Sequence, residues 1–291
     1  MKKETHPFVQ LLMMVLFSVG LLIVVSIPTG ILSYMGVDVN SRDNLFWIQT
    51  LSQLLSFALP VFLMTIIYYR GSQREYYRFD FRGRQWLNAL TAMVILLLLM
   101  PAIDWLTVWN DSWDLGRVGT FLRSIQETTE GVMEQELATD TVGGLLGNLV
   151  MVALMPAFCE ELFFRAGIQN LLQRWWSRGK GCNVGTHIAV WVTAIIFSLG
   201  HGEIFSFMPR FLMGLLLGYL YIYSGSLMVN MVAHFFNNAM VVLVYWFVNR
   251  GVLDMDPEAP LALGWPVVLC CSLAAVTLFV VTFVKRLKTN D

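Results

Sequence analysis

The chain has few charged residues for its length. Asp, Glu, Lys and Arg make up only 13% of its 291 residues, whereas soluble domains contain about 25%. Hydrophobic residues make up 57% of the chain, and the mean hydropathy is +0.63. So few charged side chains cannot cover a chain this long with a polar surface, which excludes an ordinary soluble domain. The composition predicts a polytopic membrane protein.

Cysteine is also scarce, and its spacing points to no metal or redox centre. The four cysteines are Cys159, Cys182, Cys270 and Cys271. Their spacing matches neither a zinc ribbon nor a redox motif. Cys270 and Cys271 are adjacent in an apolar run, which favours packing over a disulfide. No pattern typical of nucleic-acid binding is present, so we expect no nucleic-acid partner.

Long apolar runs divide the chain into about eight segments that can each cross a lipid bilayer. One crossing takes about 20 apolar residues. We predict spans at residues 8–27, 45–69, 86–106, 142–172, 184–200, 205–223, 227–247 and 263–284. The predicted fold class is therefore all-α, a polytopic membrane helix bundle. Because the loops are short and no repeat stands out, we expect one integral membrane domain over residues 1–291.

The basic residues predict how these spans are oriented. The loop 70–84 contains five arginines against one glutamate and one aspartate, and a short loop of this kind belongs on the cytoplasmic side. Lysines and an arginine at both ends of the chain agree: Lys2, Lys3, Lys285, Arg286 and Lys288. Both termini are therefore predicted to be cytoplasmic, in a multi-pass protein of the cytoplasmic membrane. The acidic segment 110–141 is predicted to lie outside, as a helix along the membrane surface.

Two carboxylates and a guanidinium interrupt the fourth predicted span. Its segment 160–165 reads Glu-Glu-Leu-Phe-Phe-Arg. Charges at that depth are costly, and they usually face the protein interior at a working site. On a helix Glu161 and Arg165 share a face and can pair, while Glu160 is turned about 100° away. This favours one structural and one chemical carboxylate, although a buried cluster that only locks helices together fits the same pattern.

Later spans supply histidines and amides. His201 follows Phe197 by one helical turn, and Asn230, His234 and Asn238 recur at every fourth position. The last three therefore line one face of an otherwise apolar helix. Polar side chains of this kind also join membrane helices by hydrogen bonds without any catalytic role.

Together with the glutamates, these groups fit two chemistries. In the first, a glutamate and a histidine activate water, while a second histidine and an asparagine donate hydrogen bonds to a developing oxyanion. In the second, the same groups bind zinc, which supplies the hydroxide. No His-Glu-x-x-His sequence is present to favour zinc. Cys159 is an unfavourable nucleophile because the neighbouring Glu160 opposes its thiolate.

Taken together and in order, the three motifs resemble those of the CAAX prenyl protease and bacteriocin-processing (CPBP) family of intramembrane glutamic endopeptidases. That family carries Glu-Glu-x-x-x-Arg, Phe-x-x-x-His and His-x-x-x-Asn/Asp on successive core helices. The matching segments here are 160–165, 197–201 and 234–238. The resemblance covers about residues 146–248, and we place the catalytic core at about residues 142–250.

The resemblance implies a catalytic role for four residues. Glu160 is expected to be the general base that activates water, with His201 assisting it. His234 and Asn238 are expected to form the oxyanion hole.

Three further residues are implied as supports: Glu161 and Arg165 hold the architecture, and Phe197 packs beside His201. No cofactor and no metal are implied. The expected function is an intramembrane endopeptidase that acts on a protein or peptide in or at the lipid bilayer. The alternative is a non-catalytic binding or bacteriocin-immunity protein that uses the same cluster as a structural lock. A transporter is less favoured, because no inverted repeat stands out.

The predicted boundaries place the motifs at unequal depths. With straight helices that rise about 1.5 Å per residue, Glu160 and His201 fall in the outer half of the bilayer and His234 nearer the cytoplasm. A fifth span that starts later or tilts would bring the three motifs together.

Overall fold

Helices form all the regular structure in the residues described by this computed structural model, which are 5–39, 41–177, 183–261 and 263–284. In chain order they are α1 (Pro7–Tyr34), α2 (Arg42–Tyr68), α3 (Gln73–Tyr77), α4 (Gln85–Asp111), α5 (Gly116–Leu137), α6 (Val142–Trp176), α7 (Val184–Leu199), α8 (Phe207–Ser224), α9 (Leu227–Asn249) and α10 (Trp265–Val284). A short 3₁₀ turn, Ile204–Ser206, leads into α8.

Seven of these helices are long and apolar enough to cross a membrane: α1, α2, α4, α6, α8 with its leading turn, α9 and α10. The fifth predicted span is α7, an apolar helix of only 16 residues. The predicted all-α polytopic bundle is therefore confirmed, and the chain is a multi-pass membrane protein. Lys2, Lys3, Lys285, Arg286 and Lys288 lie outside the described residues, so the cytoplasmic placement of both termini stays a prediction.

Two membrane helices widen into a π-helical turn immediately before a proline. The π turn Leu54–Ala58 precedes Pro60 in α2, and the π stretch Leu149–Leu154 precedes Pro156 in α6. Proline has no N–H group and its ring crowds the carbonyl four residues earlier, which widens or kinks the helix at that point. In α2 that carbonyl belongs to Ser56, and Ser18 of α1 donates a hydrogen bond of 2.5 Å to it. A neighbouring helix thus supplies the donor that proline lacks.

The helix α6 forms the centre of the bundle. Every residue from 161 to 172 is buried, although this stretch carries Glu161 and Arg165. Its apolar side chains pack against α1, α2 and α7, where Phe57 lies 5.2 Å from Phe163 and Phe197 lies 5.1 Å from Phe164, measured between ring centroids. A polar pair at this position is therefore shielded from water on all sides.

Small residues bring α7 and α8 into close contact. A methyl group added to Gly214 of α8 would lie 3.0 Å from both Cα and Cβ of Ala194 in α7. One of these atoms is backbone, so it cannot move aside as a flexible side chain would. Small residues at such positions let membrane helices approach closely and gain van der Waals contact.

The predicted helix within residues 110–141 is present as α5, and its C-terminal end is bonded to three other helices. Gln49 of α2 donates a hydrogen bond to the carboxylate of Glu136. Asn148 of α6 donates to the backbone oxygen of Glu136 at 3.1 Å, and Asn249 of α9 donates to that of Leu137 at 2.9 Å. Glu136 is buried as a result. Burial raises the pKa of its carboxyl, and the hydrogen bond from Gln49 opposes that rise.

We expect Gly214→Leu to destabilise the protein by forcing α7 and α8 apart. Overpacking of this kind costs about 1–3 kcal/mol, to be measured as the free energy of unfolding in an SDS titration. The matched control is Gly20→Leu in α1, where a methyl group would meet no atom within 4 Å. Equal stability of the two variants would contradict the close contact.

We expect Glu136→Gln to stabilise the protein at neutral pH. A carboxyl whose pKa is higher in the folded state binds its proton more tightly there, so stability falls as pH rises through the interval between the two values. The variant should therefore melt at a higher temperature than the wild type at pH 7. The difference should vanish below the ordinary carboxyl pKa of 4.5. Glu127→Gln, an exposed change in α5, serves as the control, and a difference that does not vary with pH would refute the argument.

Candidate active site

The two adjacent glutamates of α6 are separated by a change in helix type. Glu160 ends an α-helical stretch, and Glu161 begins the π-helical stretch Glu161–Gln169. Such stretches are rare, and they often occur at functional sites. The side chain of Glu161 is 0% exposed and that of Glu160 is 14% exposed. The two carboxylates therefore face different surroundings.

Glu161 is fully engaged with groups of α6 and α9. Its carboxylate lies 3.1 Å from the Nε of Arg165, one helical turn away. Nδ1 of His234 lies 3.0 Å from Oε1, and the amide of Asn230 donates to Oε2 at 3.2 Å. The same amide donates to the backbone oxygen of Leu217 in α8 at 2.5 Å. Glu161 thus fixes the relative position of three helices.

Glu160 faces two histidines. Its Oε2 lies 4.0 Å from Nε2 of His201 and 3.9 Å from Nε2 of His234. Among the described residues no donor is within hydrogen-bond distance of this oxygen. Polar atoms separated by about 4 Å are suitably placed to share a bridging water or a polar substrate atom. The carboxylate is therefore available for chemistry, unlike that of Glu161.

The ring orientation of each histidine is set through its Nδ1 atom. In His201, Nδ1 lies 2.8 Å from the backbone oxygen of Phe197. Because a carbonyl only accepts, Nδ1 must carry the hydrogen, which leaves Nε2 of a neutral ring as an acceptor towards Glu160. In His234, Nδ1 donates to the paired carboxylate of Glu161. Both Nε2 atoms consequently point to the same carboxylate oxygen.

Phe197 packs between the two histidines and the buried arginine. Its ring centroid lies 4.9 Å from that of His201 and 6.1 Å from that of His234. The guanidinium carbon of Arg165 lies 5.1 Å from the same ring, within range of a cation–π contact. One aromatic side chain thus links the structural ion pair to both imidazoles.

Asn238 lies one turn beyond His234 on α9, and its amide is bonded to α6. Its Nδ2 donates to the backbone oxygen of Val152 at 3.2 Å, and Asn237 donates to its Oδ1 at 3.1 Å. Val152 is four residues before Pro156, so its oxygen lacks the usual helical N–H donor. Each amide nitrogen carries two hydrogens, and the second one of Asn238 remains for another acceptor.

The expected mismatch in depth is absent, since Nε2 of His201 and Nε2 of His234 lie 4.0 Å and 3.9 Å from the same oxygen of Glu160. The helix α7 ends at Leu199, and His201 lies in the turn that follows. Gly202, with φ of +73°, reverses the chain there, a backbone conformation that favours glycine. The helix α6 is also irregular before Glu160, since its stretch Leu149–Leu154 is π-helical. All three motifs therefore meet at one point.

Glu160, His201 and His234 thus lie close to the three supports, and Asn238 lies one helical turn beyond His234; the roles of all seven residues stay predictions. Asn230 was recognised from the sequence only as part of a polar stripe; its bonds to Glu161 and Leu217 were not. A regular fourfold spacing identifies a polar face but does not tell which helix that face meets. Within residues 5–39, 41–177, 183–261 and 263–284, no three His, Cys, Asp or Glu side chains are grouped as a metal-ligand set.

Comparison with known proteins yields a family match for the segment that contains this site. Residues 143–240 match the family described as type II CAAX prenyl endopeptidase Rce1-like. The chain is also similar to the uncharacterized protein YpbD of Bacillus subtilis (strain 168), with 31% identity over 97 residues. That alignment covers 32% of this chain and 43% of YpbD, so the chain matches less than half of that relative. No solved structure matches. The family resemblance predicted from the three motifs is confirmed.

We expect Arg165→Met to destabilise the protein strongly, because it leaves the buried carboxylate of Glu161 without its guanidinium partner. Breaking one partner of a buried ion pair costs about 3–5 kcal/mol, measurable by SDS unfolding. Arg117→Met, at an exposed position of α5, is the control and should change little. Adding Glu161→Gln to Arg165→Met should recover part of the loss, since it removes the unpaired charge. No recovery would mean that Arg165 acts through packing alone.

Proposed function

We propose that this chain, whose segment 143–240 carries the Rce1-like family pattern, is an intramembrane endopeptidase. Its substrate would be a membrane-associated protein or peptide. The protein itself would reside in the cytoplasmic membrane. The observation that supports this most directly is the convergence on Glu160. Its unpaired oxygen lies within about 4 Å of the Nε2 atoms of two histidines, His201 from the turn after α7 and His234 from α9.

In the proposed reaction Glu160 is the general base. A water molecule between Glu160 and His201 donates one hydrogen to the carboxylate and the other to Nε2 of His201. The carboxylate takes a proton as the water oxygen bonds to the carbonyl carbon of the scissile peptide. The protonated Glu160 then gives this proton to the leaving amine as the carbon–nitrogen bond breaks. General acid–base catalysis of this kind contributes about 10²–10⁴-fold to the rate.

The developing oxyanion would be stabilised by His234 and Asn238. Asn238 has one amide hydrogen beyond the one that it donates to Val152. His234 already donates from Nδ1 to Glu161, so donation from Nε2 needs a doubly protonated ring. The carboxylates of Glu160 and Glu161, on either side of the ring, would compensate that charge. Fixed donors in a site shielded from water stabilise such an oxyanion more than they would in bulk water.

The ion pair of Glu161 and Arg165 lets one glutamate be structural while the other, Glu160, acts as the base. The charge of Glu161 is neutralised by Arg165, and its carboxylate is bonded by Asn230 and His234. Of the two carboxylates, only that of Glu160 is therefore free to accept a proton from water. This supports a mechanism in which no metal ion is needed to generate the nucleophile.

We expect Glu160→Gln to lower kcat by about 10²-fold or more, because the amide cannot accept a proton from water. Purified protein would be tested on quenched-fluorescent peptides, some prenylated and some not, with and without a strong zinc chelator. The variant should unfold like the wild type, since Glu160 is not part of the structural ion pair. The control is Glu127→Gln, on the exposed face of α5, which should cleave normally.

Two results would contradict the proposal. Cleavage by Glu160→Gln at the wild-type rate would remove Glu160 from the reaction. Cleavage that the chelator abolishes would make zinc the source of hydroxide, with the histidines as its ligands.

A further inference from the structure

The turn between α7 and α8 decides where His201 points. His201 is followed by Gly202, and the next residues form the 3₁₀ turn Ile204–Ser206 before α8 begins. A chain reversal of this kind would ordinarily be mobile, because its backbone has few helical hydrogen bonds. A side chain that orients the attacking water, as proposed for His201, must nevertheless be placed to within a fraction of an ångström. Something other than the turn itself must fix it.

Asn110 of α4 supplies two bonds to this turn. The side chain is 0% exposed and lies one residue before the end of α4. Its Nδ2 donates to the backbone oxygen of Ile204 at 3.0 Å, and its Oδ1 accepts from the backbone nitrogen of Met208 at 2.6 Å. Met208 is in the first turn of α8, where backbone N–H groups have no partner within the helix. One amide thus joins the start of the 3₁₀ turn to the first turn of α8.

Further hydrogen bonds restrain the rest of the segment. Ser198, three residues before His201, donates to the backbone oxygen of Phe207 at 2.6 Å. Gln126 of α5, also buried, accepts from the backbone nitrogen of Phe205 at 3.2 Å and donates to the hydroxyl of Ser206 at 3.3 Å. These bonds hold the segment on both sides of His201. Asn110 differs from them because both of its bonds go to backbone groups and its side chain is 0% exposed.

We propose that Asn110 is a positioning residue that keeps Nε2 of His201 opposite the carboxylate of Glu160. This inference rests on the proposed function and extends it to α4, which lies outside the segment 143–240 matched by the family. A residue that acts in this way changes the orientation of the His201 ring when it is replaced. A residue that only packs helices together changes stability alone.

The test compares Asn110→Leu with a matched control. Leucine has nearly the shape of asparagine but can neither donate nor accept, so the bonds to Ile204 and Met208 are lost. The control is Asn148→Leu, since Asn148 is also buried and also donates to a backbone oxygen, that of Glu136 in α5 at 3.1 Å. Both variants lose buried hydrogen bonds, but only the first loses bonds to the turn.

The first measurement does not depend on enzyme activity. In ¹⁵N-histidine NMR spectra of the protein in detergent, the His201 signals are identified as those missing in His201→Gln. In the wild type they should report one neutral tautomer, with the hydrogen on Nδ1, as the bond to Phe197 requires. Asn110→Leu should show a mixture of tautomers and Asn148→Leu should not. A wild-type His201 signal in Asn110→Leu would overturn the proposal.

The second measurement is kinetic. With a peptide that the wild type cleaves, Asn110→Leu should lower kcat by about 10- to 100-fold with KM little changed, and Asn148→Leu should keep the wild-type kcat. An unchanged kcat in folded Asn110→Leu would also overturn the proposal. If the wild type cleaves no peptide, the proposed function fails while the NMR comparison still decides the role of Asn110. Should Asn110→Leu not fold, Asn110→Ser, whose side chain is too short to join both backbone groups, takes its place.

Discussion

The ion pair between Glu161 and Arg165 is the interaction on which the rest of this structure depends. A carboxylate in an apolar interior must be paired and hydrogen-bonded, because it would otherwise be too costly to bury. Glu161 meets that requirement with partners on α6 and α9, and Asn230 carries the connection on to α8. The helices can occupy few other arrangements without leaving a buried charge unpaired. The position of His234, and with it one side of the candidate site, follows from this constraint.

Proline has a related effect elsewhere in the bundle. Pro60 and Pro156 each leave the backbone oxygen four residues earlier without its usual donor, and a side chain from another helix bonds to it. In α2 that side chain is Ser18, and in α6 it is Asn238. Since no water is present in the hydrocarbon region to satisfy such an oxygen, each proline in effect selects a polar neighbour. The residue implied as part of an oxyanion hole is therefore also a structural link.

Much of the fold and of the site could be predicted from the sequence, because both depend on the free-energy cost of placing backbone polar groups and charges in an apolar environment. Apolar runs of bilayer length have few alternatives to helices, and charges such as Glu160 and Arg165 stand out within them. What could not be predicted was the meeting point of the motifs. It depends on the π-helical stretches of α6 and on how the turn after the short α7 packs beside α6 and α9, which the lengths of the apolar runs do not give. The role of Asn110 could not be predicted either. A single asparagine near the end of an apolar run is ordinary at a membrane interface and does not indicate a contact with another helix.

The contacts of α2 and α4 bear on how this architecture can vary. The segment shared with the Rce1-like family holds every motif residue, yet Phe57 of α2 packs on Phe163, and Asn110 of α4 bonds the turn beside His201. The motif-bearing helices are thus not a module that can be exchanged freely between membrane scaffolds. A relative with different flanking helices must brace the same turn by other means, so those flanks should diverge together with the turn rather than independently of it.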